Sequence, residues 1–116
     1  MVLTDVKKYI GFDEEYKVFD PDIVLQVNSA LSVLKQIGVD VTGSLSLDGV
    51  EDWSDILGKH VDIEMIKNYI YLKTKLVFDP PLNGSIMESI KEQIKEYEWR
   101  INLEAEVPSD SVWSET

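Results

Sequence analysis

Between Ile63 and Phe78, 10 of 16 residues are apolar or aromatic, too many for a helix with one face in water. At about 100° per residue they fall into two stripes, Ile63, Ile66, Ile70 and Val77 on one and Met65, Tyr69, Leu72 and Leu76 on the other. Two stripes require two neighbours, so the spacing predicts the central helix of a small bundle. Lys73 lies between the stripes and must reach water or a carboxylate, because an unpaired buried charge is costly. The remaining strip, Glu64, Lys67, Asn68, Tyr71 and Lys75, is the only continuous polar side and is expected to face solvent or a partner.

The run Phe78-Asp79-Pro80-Pro81-Leu82-Asn83-Gly84 ends that helix. Ser85 with Glu88 three residues on has the pattern of a capping box, so a second long helix is predicted to start there. Its apolar stripe is narrow: Ile86, Met87, Ile90, Ile94, Tyr97 and Ile101. Glu88, Glu92, Glu96, Trp99 and Leu103 lie on the other side of the wheel. A tryptophan on an acidic face is either a binding anchor, a role in which Trp is enriched, or is covered by another segment of the same chain.

Ahead of this pair, Leu3 to Gly11 reads as a short helix with Thr4 as N-cap, Asp5 in its first turn and Gly11 as its stop; Val6, Tyr9 and Ile10 are its inner face. Phe12 to Phe19 is an acidic connection. Asp20-Pro21 restarts a helix with a capping side chain and a proline at the first helical position. Ile23, Val27, Ala30, Leu31, Leu34 and Ile37 form its stripe, and Gly38 ends it. From Val39 to Lys59 the spacing of Val41, Leu45 and Leu47 and the Asp48-Gly49 turn predict a short β-ribbon or an irregular loop, then one helical turn from Trp53 to Leu57 closed by Gly58. A loop of that length is usually functional or disordered, which makes it a second candidate contact surface. The fold class is therefore all-α, a small four-helix bundle over residues 1–104. A polar tail, 105–116, follows; it is expected to be mobile, unless Trp113 is a peg that orders on a partner.

The 116 residues suffice for one core. With 22 acidic against 11 basic residues the net charge is −11, which argues against nucleic acid or anionic membrane as a partner and favours a basic protein. The chain has no cysteine, so disulfides and thiolate metal sites are excluded. No stretch approaches the roughly 20 apolar residues of a membrane span, and the start lacks a signal-peptide pattern, so a soluble intracellular chain is expected. His60 and Glu64 stand one helical turn apart, but a metal site needs three or four ligands. Asp40 to Glu51 has the length of a calcium loop but carries Leu45 where glycine is required. Neither a glycine-rich phosphate loop nor a Ser-His-Asp constellation is present. No enzyme activity, cofactor or metal is expected.

Leu3-Thr4-Asp5-Val6-Lys7-Lys8-Tyr9-Ile10-Gly11, the helix from Asp20 to Gly38, Ile66-Lys67-Asn68-Tyr69-Ile70-Tyr71-Leu72-Lys73, Phe78-Asp79-Pro80-Pro81 and Glu98-Trp99-Arg100-Ile101-Asn102 resemble, in that order, the head-to-tail connector proteins of long-tailed bacteriophages and prophages. The resemblance covers Leu3 to about Glu104. It implies an all-helical structural adaptor in the virion neck, made in the host cytoplasm and assembled as a ring, usually of twelve copies, beneath the portal protein. Such a ring links the DNA-filled head to the next neck protein or the tail, and DNA passes through its channel without specific binding. The resemblance implies neither catalysis nor cofactor.

Each subunit of a ring presents two different surfaces to its neighbours. The candidates are the face of Glu88, Glu92, Glu96, Trp99 and Leu103, and the strip of Lys67, Tyr71 and Lys75. The acidic face is expected to dock on the basic strip of the next subunit or on a basic portal surface, with Trp99 as anchor; alternatively its charge lines the channel. An isolated subunit can be monomeric, since weak contacts become stable when many act together. Two other classes are open: an acidic inhibitor imitating DNA or another small helical interaction module, and a small enzyme subunit, which a pocket of converging polar groups would reveal.

Overall fold

Three of the sequence's start signals are read by the chain differently from their local pattern, and for the first two the packing explains why. In the computed structural model, which describes residues 1–58 and 62–106, the helices are α1 Val2–Ile10, α2 Asp20–Gln36, α3 Trp53–Ile56, α4 Ile63–Phe78 and α5 Gly84–Glu106. Thr4 is not the cap of α1. The helix begins earlier, at Val2, because Val2 and Leu3 are buried and the Val2 N–H is taken by the Glu51 carbonyl at 3.1 Å. Nor does Asp20 cap α2: Phe19 is the N-cap, and the Asp20 carboxylate turns to Lys7 instead. Gly11 does end α1, in the left-handed conformation with φ 88°.

The start of α5 also moves. Asn83 Oδ1 accepts from the backbone N–H groups of Ser85 at 2.7 Å and Ile86 at 3.3 Å, so Asn83 does the capping that the Ser85 and Glu88 pattern promised. A side chain one residue before Gly84 reaches those orphan donors, and Ser85 is already inside the helix.

The expected all-α bundle is present. α4 packs against α1, α2 and α5, and the molecule measures 53 × 35 × 18 Å, its thinnest dimension about two helix diameters. On α4, Ile66, Tyr69, Ile70 and Leu72 are buried. Val77, expected on a buried stripe, is 56% exposed, because in the last turn of α4 it is Leu76 and Phe78 that turn to the core and Val77 lies on the opposite side. Thr74 is buried in the core; its hydroxyl donates to the Ile70 carbonyl at 2.8 Å, which satisfies it without a tertiary partner. α1 contributes Val2, Leu3, Val6 and Ile10, and α2 contributes Ile23, Val24, Val27, Ala30, Leu31 and Leu34. Among the described side chains of α5, Ile94 and Ile101 alone are buried.

Between α2 and α4 the chain is an irregular loop rather than a ribbon; among the described residues its β-structure is one isolated bridge, Val41 with Leu57. α3 is the expected single turn, with a capping box between Asp52 and Asp55. The loop is pinned at two points along its length. Asn28 on α2 donates to the Leu45 carbonyl at 3.0 Å and accepts from its N–H at 2.8 Å, while Trp53 Nε1 donates to Asp5 on α1 at 2.8 Å. Gly49, at φ 65°, lies so close to Leu3 that a Cβ would collide with that side chain.

Candidate docking surfaces

Two polar bonds and one apolar stripe set the rotation of α5 about its axis. Ile90, Ile94, Tyr97 and Ile101 face the core. Tyr69, fully buried on α4, donates its hydroxyl to Glu98 at 2.7 Å, and Asn102 donates to the Ile37 carbonyl at the end of α2 at 2.9 Å. Burial first, and then the bond to Glu98 and its charge, push the Tyr69 phenol above its ordinary pKa. With Glu98 turned inward, Trp99 points outward and is 64% exposed; Leu103, one turn on, is 47% exposed. The two form an adjacent apolar pair on the outer face of α5.

Glu88, Glu92 and Glu96 flank that pair and are exposed. Two of them already hold a cation from their own helix. Glu88 lies 3.9 Å from Lys91, and Glu96 accepts from Arg100 at 3.3 Å. Glu92 has no ion-pair partner among the described residues. The face is therefore apolar at Trp99 and Leu103, and about half of the exposed carboxylates on its helix, Glu88 and Glu96, are neutralised.

The strip of Lys67, Tyr71 and Lys75 has a different setting. The Tyr71 ring stacks on Tyr9 of α1 with centroids 4.8 Å apart and meets the Trp53 ring of α3 edge-on at 6.1 Å. Burial, with the nearby charges of Asp5 and Glu64, raises its pKa. The Lys67 ammonium sits 5.2 Å over the Trp53 ring and 4.0 Å from Glu64. Lys75 pairs with Asp79 at 2.9 Å. The chain's own α1, α3 and helix-end groups engage all three side chains. Lys73, read as needing an outlet, places its ammonium 5.5 Å over the Tyr69 ring. Trp113 and His60 lie outside the described residues.

One residue of consequence was missed from sequence. Lys7 is 2% exposed, and its ammonium donates to the Glu14 carbonyl at 2.9 Å and the Tyr16 carbonyl at 2.8 Å. It also lies 2.9 Å from Asp20 Oδ1, an ionic contact off the hydrogen-bonding direction. The signal was there: Leu3, Val6, Lys7 and Ile10 share the spacing of a buried helix face.

Among the described residues no group of three or more His, Cys, Asp or Glu side chains is arranged to hold a metal ion, and no helix is long and apolar enough to cross a membrane. A family model described as "Phage connector protein" matches residues 2–108. No curated protein and no solved structure matches the chain.

Proposed function

The chain belongs to the phage connector family, and from that premise we propose that it is a head-tail connector that assembles as a ring beneath the portal and joins the DNA-filled head to the next neck protein or the tail. The family's role is structural, in the virion neck. The observation that carries the finer reading is the outward Trp99–Leu103 pair. A large aromatic held at 64% exposure by a fixed helix rotation is the pattern of a binding anchor, since burying it on a partner removes much apolar surface at little ordering cost.

The surrounding charges support specificity more than affinity, because Glu88 and Glu96 are already paired within α5. The anchor therefore meets a neighbouring subunit or the portal through apolar contact, with Glu92 free to choose a basic neighbour. Lys67, Tyr71 and Lys75 remain a candidate second surface at their exposed edges.

Mixing the purified protein with portal rings and imaging by electron microscopy tests this. The expected result is added rotationally symmetric density at one end of the portal. Trp99→Ala should abolish that density while leaving the unfolding free energy within about 0.5 kcal/mol of the parent, as for other exposed positions. Portal rings that gain no density with the parent protein would refute the connector reading; density retained by the variant would refute the anchor alone.

A further inference from the structure

Lys7 is a buried charge with no evident purpose in stability. Exchanging a buried ion pair for apolar side chains is often neutral or stabilising, so Lys7 and Asp20 are not explained by the core they sit in. What the ammonium does is hold two backbone carbonyls, Glu14 and Tyr16, of a connection in which every residue from 13 to 19 is exposed. The side chains displayed there include Tyr16, Val18 and Phe19, exposed by 47%, 66% and 39%. Two of the three rest on other rings: Phe12 lies 6.2 Å from Tyr16 and 5.9 Å from Phe19, and Phe78 lies 6.5 Å from Phe19. An apolar loop that is already fixed loses little entropy when it docks.

The charge around this loop names its partner's chemistry. From residue 13 to 22, Asp13, Glu14, Glu15, Asp20 and Asp22 stand against Lys17. Asp20 is compensated by Lys7, but the other four carboxylates are exposed and have no ion-pair partner among the described residues. On α5, by contrast, two of the four exposed carboxylates, Glu88 and Glu96, hold a cation from their own helix. A second copy of a chain with net charge −11 would bring more carboxylate to the contact.

We infer that the Lys7-clamped loop, residues 12–19, is a preformed docking surface for a basic protein surface with an apolar hollow, on a neck component other than this chain. The inference rests on the connector reading and adds a second surface, separate from Trp99. Lys7 is a positioning residue in it, and Tyr16, Val18 and Phe19 make the contact.

The probe is portal-bearing heads purified from a phage stock lacking this connector, with retention of the full-length protein measured by sedimentation. Lys7→Met combined with Asp20→Leu should keep helical circular dichroism and the thermal midpoint yet lose about tenfold or more in retention, because the loop is no longer held. Glu14→Lys with Glu15→Lys, both on the surface, should also lose retention through repulsion by a basic partner. A photo-crosslinking side chain at position 18 should join a Lys- or Arg-rich surface of a different protein.

Retention of the Lys7 and Asp20 double variant equal to the parent would overturn the inference. So would stronger retention after the charge reversal, or a cross-link between two copies of this chain, since either means a non-basic partner. Parent protein that fails to bind the heads at all would instead remove the connector reading itself, and this inference with it.

Discussion

Tyr69→Phe isolates the single hydroxyl that ties the middle of α5 to α4. The ring stays, so no cavity opens, and the change removes only the 2.7 Å bond to Glu98. A hydrogen bond to a charged group contributes about 1.5–3 kcal/mol. Glu98 is half-buried, so water can replace the lost donor, which puts the cost near the lower end, about 1.5 kcal/mol. At about 4 °C per kcal/mol for a chain of this size, the thermal midpoint should fall by roughly 6 °C. Urea unfolding should give the same loss with an unchanged slope, since the surface exposed on unfolding is the same.

The same bond sets an alkaline limit. Because burial and Glu98 raise the Tyr69 pKa, the folded chain holds that proton more tightly than the unfolded one. The stabilisation is complete below the ordinary tyrosine pKa of about 10 and is lost as the pH rises through the folded value. Tyr69→Phe should flatten this decline without abolishing it, because Tyr71 is shifted in the same direction. Glu98→Gln, which keeps an acceptor oxygen but drops the charge, should fall between parent and Tyr69→Phe. A Tyr69→Phe protein with the parent's midpoint and alkaline profile would refute the assignment of this bond as the tie.

Asn83→Ala should cost about 1 kcal/mol and speed hydrogen exchange at residues 85–87, whereas Ser85→Ala should change stability by less than about 0.5 kcal/mol; the reverse ranking would restore the capping box read from sequence. The Glu51 carboxylate accepts from the Ser46 backbone at 3.0 Å, chiefly this bond lowering its pKa. Its contribution is present above the ordinary glutamate value of about 4.3 and disappears as the pH falls through the lower folded value, so the Ser46 amide resonance should titrate with a midpoint below that of a free glutamate.

The long-period features of this fold were legible because burial dictates them. The limits of α4 and its buried Ile66, Tyr69, Ile70 and Leu72 follow from its two stripes, and the stop at Gly11 follows from left-handed geometry. What misled were local patterns with two readers. Ser85 and Glu88 could cap, but Asn83 stood nearer; Asp20 could cap, but a buried ammonium attracted its carboxylate more strongly than a backbone N–H. The strip of Lys67, Tyr71 and Lys75 looked open because the wheel of one helix contains no α1 or α3. Its occupants, Tyr9 and Trp53, come from segments 62 and 18 residues before Tyr71, and no periodicity within α4 encodes them. Likewise the outward direction of Trp99 follows from α5 alone, but its fixity depends on Tyr69 and Ile37 from elsewhere.

The exposed ion pairs bear on how the two proposed surfaces divide their work. Glu88 with Lys91, Glu96 with Arg100, Glu64 with Lys67 and Asp79 with Lys75 are each worth about 0–1 kcal/mol, too little to hold the bundle. Their effect is on the field: they offset the carboxylates of Glu64 and Asp79 at α4 and of Glu88 and Glu96 on α5, and leave Glu92 and Glu104 on α5 and the carboxylates of the loops unpaired among the described residues. At physiological ionic strength a field decays over about 8 Å, so loop carboxylates act only on a neighbour almost in contact. Two free copies meeting through their loops repel at that range, whereas a basic neck surface is drawn in and aligned. The Trp99 and Leu103 face closes chiefly by apolar burial, with Glu88 and Glu96 already offset within the helix. Attraction through residues 12–19 must therefore weaken with added salt, while burial of the Trp99 pair must not. Two contacts on one small chain with opposite dependence on salt are separable in a single titration.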